Sequence, residues 1–155
     1  MDLQLTGRAE GAYATLGRIP VQIYFLSVIT TILSGAVLAS GTLGERFGFL
    51  KSLGDFFAQR GPKLALGAFT GLVGFFKFLV YATPGQVPFL GDFLPAVAGL
   101  SLGAYLLLEY YSGASDMAEG TSKSLQLLSE YKAPAGIAAL SIGALHFLFP
   151  AAILL

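Results

Sequence analysis

VQIYFLSVITTILSGAVLA, running from Val21 to Ala39, contains no charged residue. A helix rises about 1.5 Å per residue, so about 20 such residues reach across a hydrocarbon core of about 30 Å. Three further stretches of the same character follow, from Lys63 to Ala82, Val87 to Tyr111 and Pro134 to Leu155. Together they predict an all-α integral membrane protein with four transmembrane helices. Val37-Leu38-Ala39 before Ser40 resembles a small-residue cleavage site. The apolar run is longer than the about 7–15 residues of a signal peptide, and a leader precedes it, so it reads as a retained membrane helix.

Composition points the same way. Hydrophobic residues make up 55% of the chain and charged residues 12%, against roughly 25% charge in soluble domains. The net charge is zero, which leaves no basic footprint for nucleic acid. With no cysteine in the chain, disulfides, thiolate metal sites, cysteine nucleophiles and covalent c-type haem are excluded.

Outward from the first stretch, the order of parts repeats. Displaced by 72 residues, Ser40-Gly41 falls on Ser112-Gly113, Lys51-Ser52-Leu53 on Lys123-Ser124-Leu125, Pro62 on Pro134, Gly71 on Gly143 and Phe75 on Phe147. The pattern predicts a single membrane domain over residues 1–155 containing two pseudo-repeated helical hairpins, residues 20–83 and 92–155, in parallel orientation. Any four-helix membrane protein with similar loops also gives such an echo. Between the helices of each hairpin lies a long loop. In the first, Leu43, Phe47, Leu50, Leu53 and Phe57 recur every three or four residues among charged ones, the pattern of an amphipathic helix lying in the membrane interface. Leu125, Leu128 and Tyr131 give a shorter version in the second. Thr83-Pro84-Gly85-Gln86 reads as a tight turn that makes the second and third membrane helices antiparallel neighbours.

Arg46, Lys51, Arg60, Lys63, Lys123 and Lys132 belong to the side holding both long loops. The positive-inside bias therefore places loops 42–62 and 112–133 in the cytoplasm and both termini on the opposite side.

Small residues at four-residue spacing mark close helix packing in lipid. Gly67 and Gly71, Gly99 and Gly103, and Ala139 and Gly143 supply them on helices two, three and four, with Gly35 and Ala39 on helix one. Ionisable groups inside a span are expensive and are functional candidates by default. Lys77, Asp92 and His146 form the candidate intramembrane polar site. Lys77 lies close enough to its helix end to snorkel, and an ion pair with Asp92 across the turn is open to it. Asp92 can also cap a helix starting near Pro95. Glu109, beside Tyr110 and Tyr111, reads as an interfacial anchor. His146 reads as a packed, hydrogen-bonded histidine, a proton relay, or a ligand to haem or chlorophyll. Pro150, four residues on, frees its carbonyl from the helical ladder.

No catalytic constellation and no metal-ligand spacing is present in the sequence, so no enzymatic role and no cofactor is expected. The leading expectation is a non-catalytic scaffold or accessory subunit of a membrane complex. Its partners would be the lipid bilayer and other membrane subunits or further copies of itself. A small transporter or channel built around Lys77, Asp92 and His146 is the main alternative, and a cofactor-binding redox or pigment subunit the second.

Overall fold

A computed structural model describes residues 3–79, 93–112, 126 and 128–149, with side chains from Gln22 onward. Within them there are helices and no strands. Helix α1 spans Leu3–Leu43, α2 Gly48–Ala58, α3 Arg60–Leu79, α4 Phe93–Ser112 and α5 Lys132–Leu148. Three segments are long and apolar enough to cross a membrane: Gln22–Leu43 of α1, α3 and α4. Helix α5 is apolar but shorter, at 17 residues. Of the expected fourth span, Pro134 to Leu155, the described part is helical to Leu148, where Phe149 N–H bonds Leu145 O; residues 150–155 lie outside the described residues. In the other direction α1 is longer than its apolar core, because the leader is rich in good helix formers such as Leu3, Gln4, Ala9 and Glu10. The turn at Thr83–Gln86, Asp92, Leu125 and Pro150 lie outside the described residues.

The closest pairings are α3 with α4 and α1 with α5. Both are antiparallel, and both depend on glycine. A Cβ added to Gly103 would stand 2.5 Å from the Gly71 backbone, and one on Gly74 would stand 2.7 Å from Leu100 N. On the α1–α5 seam, a Cβ at Gly136 would meet Ala39 N at 2.5 Å, and one at Gly35 would meet Gly136 O at 2.9 Å. Backbones this close admit no side chain between them, which is what small residues provide where lipid gives helices no hydrophobic reason to associate. Both seams join the proposed halves to each other; the contact within the first half, α1 with α3, is less extensive.

Helix α1 touches every other helix and contributes the largest share of the interior, including Val28, Ala36, Val37, Leu38 and Ala39. Leu66, Leu102, Tyr105, Leu106 and Ala139 close the core around Val37 and Leu38. The outer faces of α3 and α5 expose Phe69, Leu72, Phe76, Ile137 and Phe147, an apolar rim suited to lipid. Helix α2 lies against the end of α1 through Leu50, Leu53, Gly54 and Phe57, its half-buried positions. Leu53 and Phe57 reach the core, and Gly54 sits so close to Ser40 that a Cβ there would be 2.2 Å from its hydroxyl. Phe47, Phe49 and Phe56 are exposed. In the second loop, Leu128 and Tyr131 are exposed too.

Replacing Gly136 by Val should separate α1 from α5 and lower stability by about 1–3 kcal/mol, read as a shift in the unfolding midpoint of detergent-purified protein. Gly48→Ala, where the new Cβ meets nothing within 4 Å, should change it by less than about 0.5 kcal/mol.

Candidate functional site

Helix α3 carries Lys63, Thr70 and Lys77 at seven-residue spacing. Seven residues are nearly two turns, so these side chains share one face and stand about 10 Å apart along the axis. Lys132, Ala139 and His146 repeat the spacing on α5. Among the described residues the backbones of α3 and α5 do not meet. Their inward faces are bridged by polar groups instead.

At the end away from the long loops, Lys77 Nζ lies 2.8 Å from His146 Nε2. Both are buried, Lys77 at 6% exposure and His146 at 1%. Instead of the expected snorkelling, the Lys77 side chain turns inward to the imidazole. Tyr24 of α1 completes the cluster. Its hydroxyl donates to the His146 carbonyl at 2.5 Å, the carbonyl that Pro150 leaves without a helical donor. Its ring packs on the imidazole with centroids 4.8 Å apart, and Lys77 Nζ stands 5.6 Å from the Tyr24 ring centre, within cation–π range.

The chemistry of the pair follows from its distance. A 2.8 Å contact between an amine and an imidazole nitrogen has one proton between two nitrogens, so one of them keeps its lone pair. The donor can be either residue: a lysine N–H to a lone pair on the imidazole, or an imidazole N–H to a neutral amine. One proton can pass between the two nitrogens, and a neutral pair becomes positively charged when it takes up one more.

Midway along the bundle, Ser34 and Thr70 hydroxyls meet at 2.8 Å, fully buried between α1 and α3. Ser27 and Thr30 return their hydroxyls to carbonyls of their own helix. Thr31 Oγ1 is buried with no hydrogen-bond partner among the described residues.

At the long-loop end Glu109 is the hub. Its Oε1 accepts from Lys132 Nζ at 2.6 Å and its Oε2 lies 3.4 Å from Lys63 Nζ, with the Tyr105 hydroxyl at 3.4 Å. Glu109 is therefore a junction of three helices, and its carboxylate turns to the lysines of α3 and α5 instead of anchoring alone at an interface. Each of these charges sits at the unfavourable end of its helix dipole: both lysines in a first turn, the glutamate in a last turn. Mutual pairing offsets that placement.

Of the candidate polar site, then, Lys77 and His146 come together, and Asp92 lies outside the described residues. Gly67, Gly71, Gly99, Gly103, Ala139 and Gly143 all lie at helix contacts: Gly67 against Leu106, Gly99 against Gly74, Gly143 against Ile32, and Ala139 against Gly35. Gly136 and Tyr24 escaped the sequence reading. The spacing Gly136, Ala139, Gly143 was the available signal for the first; Tyr24 on α1 carries none. Among the described residues no three acidic or histidine side chains gather as a metal site, and an ion on His146 Nε2 would have to stand where Lys77 Nζ does.

A protein family of unknown function covers residues 21–146. The chain belongs to that family. The matched span includes the three segments long enough to cross a membrane, most of α5, and both members of the Lys77–His146 pair. No curated protein and no solved structure matches the chain.

Ser34→Ala and Thr70→Val, singly and together, measure the mid-level contact. Interhelical hydroxyl pairs in membranes couple by about 0.6 kcal/mol, so a double-mutant cycle should return a coupling below about 1 kcal/mol.

Proposed function

We propose that this is a four-helix integral membrane protein that acts as a small proton-linked carrier, with Lys77 and His146 at the centre of its binding site. The observation that carries the reading is the buried 2.8 Å contact between the two. A site whose positive charge arrives and leaves with one transferable proton is suited to binding a small anion and moving it together with H⁺. Asp92 is a further candidate for this site. Helix α5 serves as the fourth crossing with the segment beyond it, the halves around the site are related as two hairpins, and α2 lies in the interface. The lysine- and arginine-bearing loops face the cytoplasm.

A non-catalytic scaffold has the exposed apolar rim of α3 and α5 on its side, but lipid already accounts for that surface. Cofactor ligation through His146 competes with Lys77 for the same nitrogen. The carrier reading uses both residues as they stand.

The test is proton flux in vesicles loaded with a pH-sensitive dye, driven by inward gradients of acetate, lactate and chloride in turn. Wild-type protein should acidify the lumen with at least one of them. Lys77→Met and Asp92→Asn should abolish the signal. Lys77→Arg keeps the charge but cannot release its proton at neutral pH, and should lose proton movement while the protein remains folded. Flux unchanged in Lys77→Met sinks the site.

A further inference from the structure

A cavity of about 420 Å³ opens at the long-loop end, between the end of α1, helix α2 and the start of α5. Its volume falls within the about 300–1,000 Å³ range of small-molecule sites. Lys63, Lys132, Glu109 and Asp55 reach its wall, and Ser129 adds a hydroxyl. Val37, Leu38 and Phe57 form an apolar side. It is separate from the Lys77–His146 cluster, which lies two α3 heptads away.

We propose that this cavity binds the headgroup of a zwitterionic phospholipid bearing a primary amine. The inference rests on the membrane reading of the chain but not on the carrier reading. Two ammonium groups and two carboxylates line one space, so a simple anion would have to compete with Glu109 for the lysines while facing Asp55. A ligand carrying both signs satisfies both sets. Its phosphodiester sits between Lys63 and Lys132, which already share one carboxylate at 3.4 and 2.6 Å and have N–H donors to spare. Its ammonium turns to Asp55, which makes no ion pair with any described residue. A primary ammonium donates three hydrogen bonds, to this carboxylate and to the neighbouring Ser and Thr oxygens; a quaternary one donates none. The apolar side receives the glycerol and first acyl carbons. Lysine ammoniums at the end of spanning helices lie where a bilayer places its phosphates.

Gly41 offers the decisive variant. It lines the cavity, and a Cβ added there meets nothing within 4 Å, so Gly41→Phe adds bulk at the cavity wall while every charged residue of the lining is kept. The full chain, extracted from carbonate-washed membranes into mild detergent and delipidated, is titrated with dioleoyl-phosphatidylethanolamine, -phosphatidylcholine and -phosphatidylglycerol, and bound lipid is counted by native mass spectrometry. Phosphatidylethanolamine should bind one to one and roughly tenfold more tightly than either of the others, a difference of about 1.4 kcal/mol. Gly41→Phe should remove that binding, and Asp55→Asn should erase the preference over phosphatidylcholine; Asp55 is exposed, so this variant tests the idea even if Gly41→Phe does not fold. Equal binding of all three lipids, or wild-type binding in either variant, overturns the proposal. Binding of water-soluble glycerophosphoethanolamine as tightly as the lipid overturns the lipid assignment and leaves a soluble phosphodiester as the ligand. Recovery of the chain in the carbonate supernatant overturns the membrane reading itself, a separate failure.

Discussion

Backbone meets backbone at two seams, and everything else in the bundle is arranged around that approach. Where Gly103 crosses Gly71 and Gly99 crosses Gly74, α3 and α4 are held at a separation no side chain would permit. Gly136 and Gly35 do the same for α5 and α1. In a bilayer, helices gain little by hiding leucine from lipid, so dense van der Waals contact along such seams is the main source of association. The result is two tight slabs, α3–α4 and α1–α5. They are joined by the core around Val37, Leu38 and Leu106 and by the Ser34–Thr70 hydroxyl pair.

Pairing the helices this way leaves α3 and α5 on opposite corners. Among the described residues, long polar side chains link them. At one end Lys63 and Lys132 reach the same carboxylate, and at the other Lys77 reaches His146. In both cases the residues concerned are 69 apart in sequence, three fewer than the 72-residue shift that aligns Pro62 with Pro134.

The helical spans and the packing glycines were legible because each is a local property: an uncharged run, or small residues four apart. Lys77 was recognisable as costly for the same reason. His146 belonged to the same candidate site, but its direct pairing with Lys77 was not legible, because nothing local links position 77 to position 146 on helices that do not touch. The tight turn drew attention to Asp92 as the nearby opposite charge, whereas the long lysine stem makes distance in sequence nearly irrelevant. Glu109 illustrates the same limit. Its neighbours Tyr110 and Tyr111 suggested an interfacial belt, while its actual partners come from the first turns of two other helices. The hydroxyl of Tyr24 fills the carbonyl vacancy that Pro150 creates, a match visible only once α1 and α5 lie side by side.

The three polar levels also differ in what they require of the protein. The Glu109 junction is partly exposed, so water moderates the cost of its charges, and its geometry explains itself as a tie between three helices. The Ser34–Thr70 contact joins α1 to α3 with neutral hydroxyls, which carry no Born penalty when buried. Lys77 and His146 make a comparable tie with two buried ionisable groups, which cost more to take out of water than hydroxyls do. If joining helices were the only requirement at that level, a second hydroxyl pair or a leucine contact would meet it at lower cost. Proton uptake is the property the more expensive pair adds, and it is the one that the proposed carrier would use.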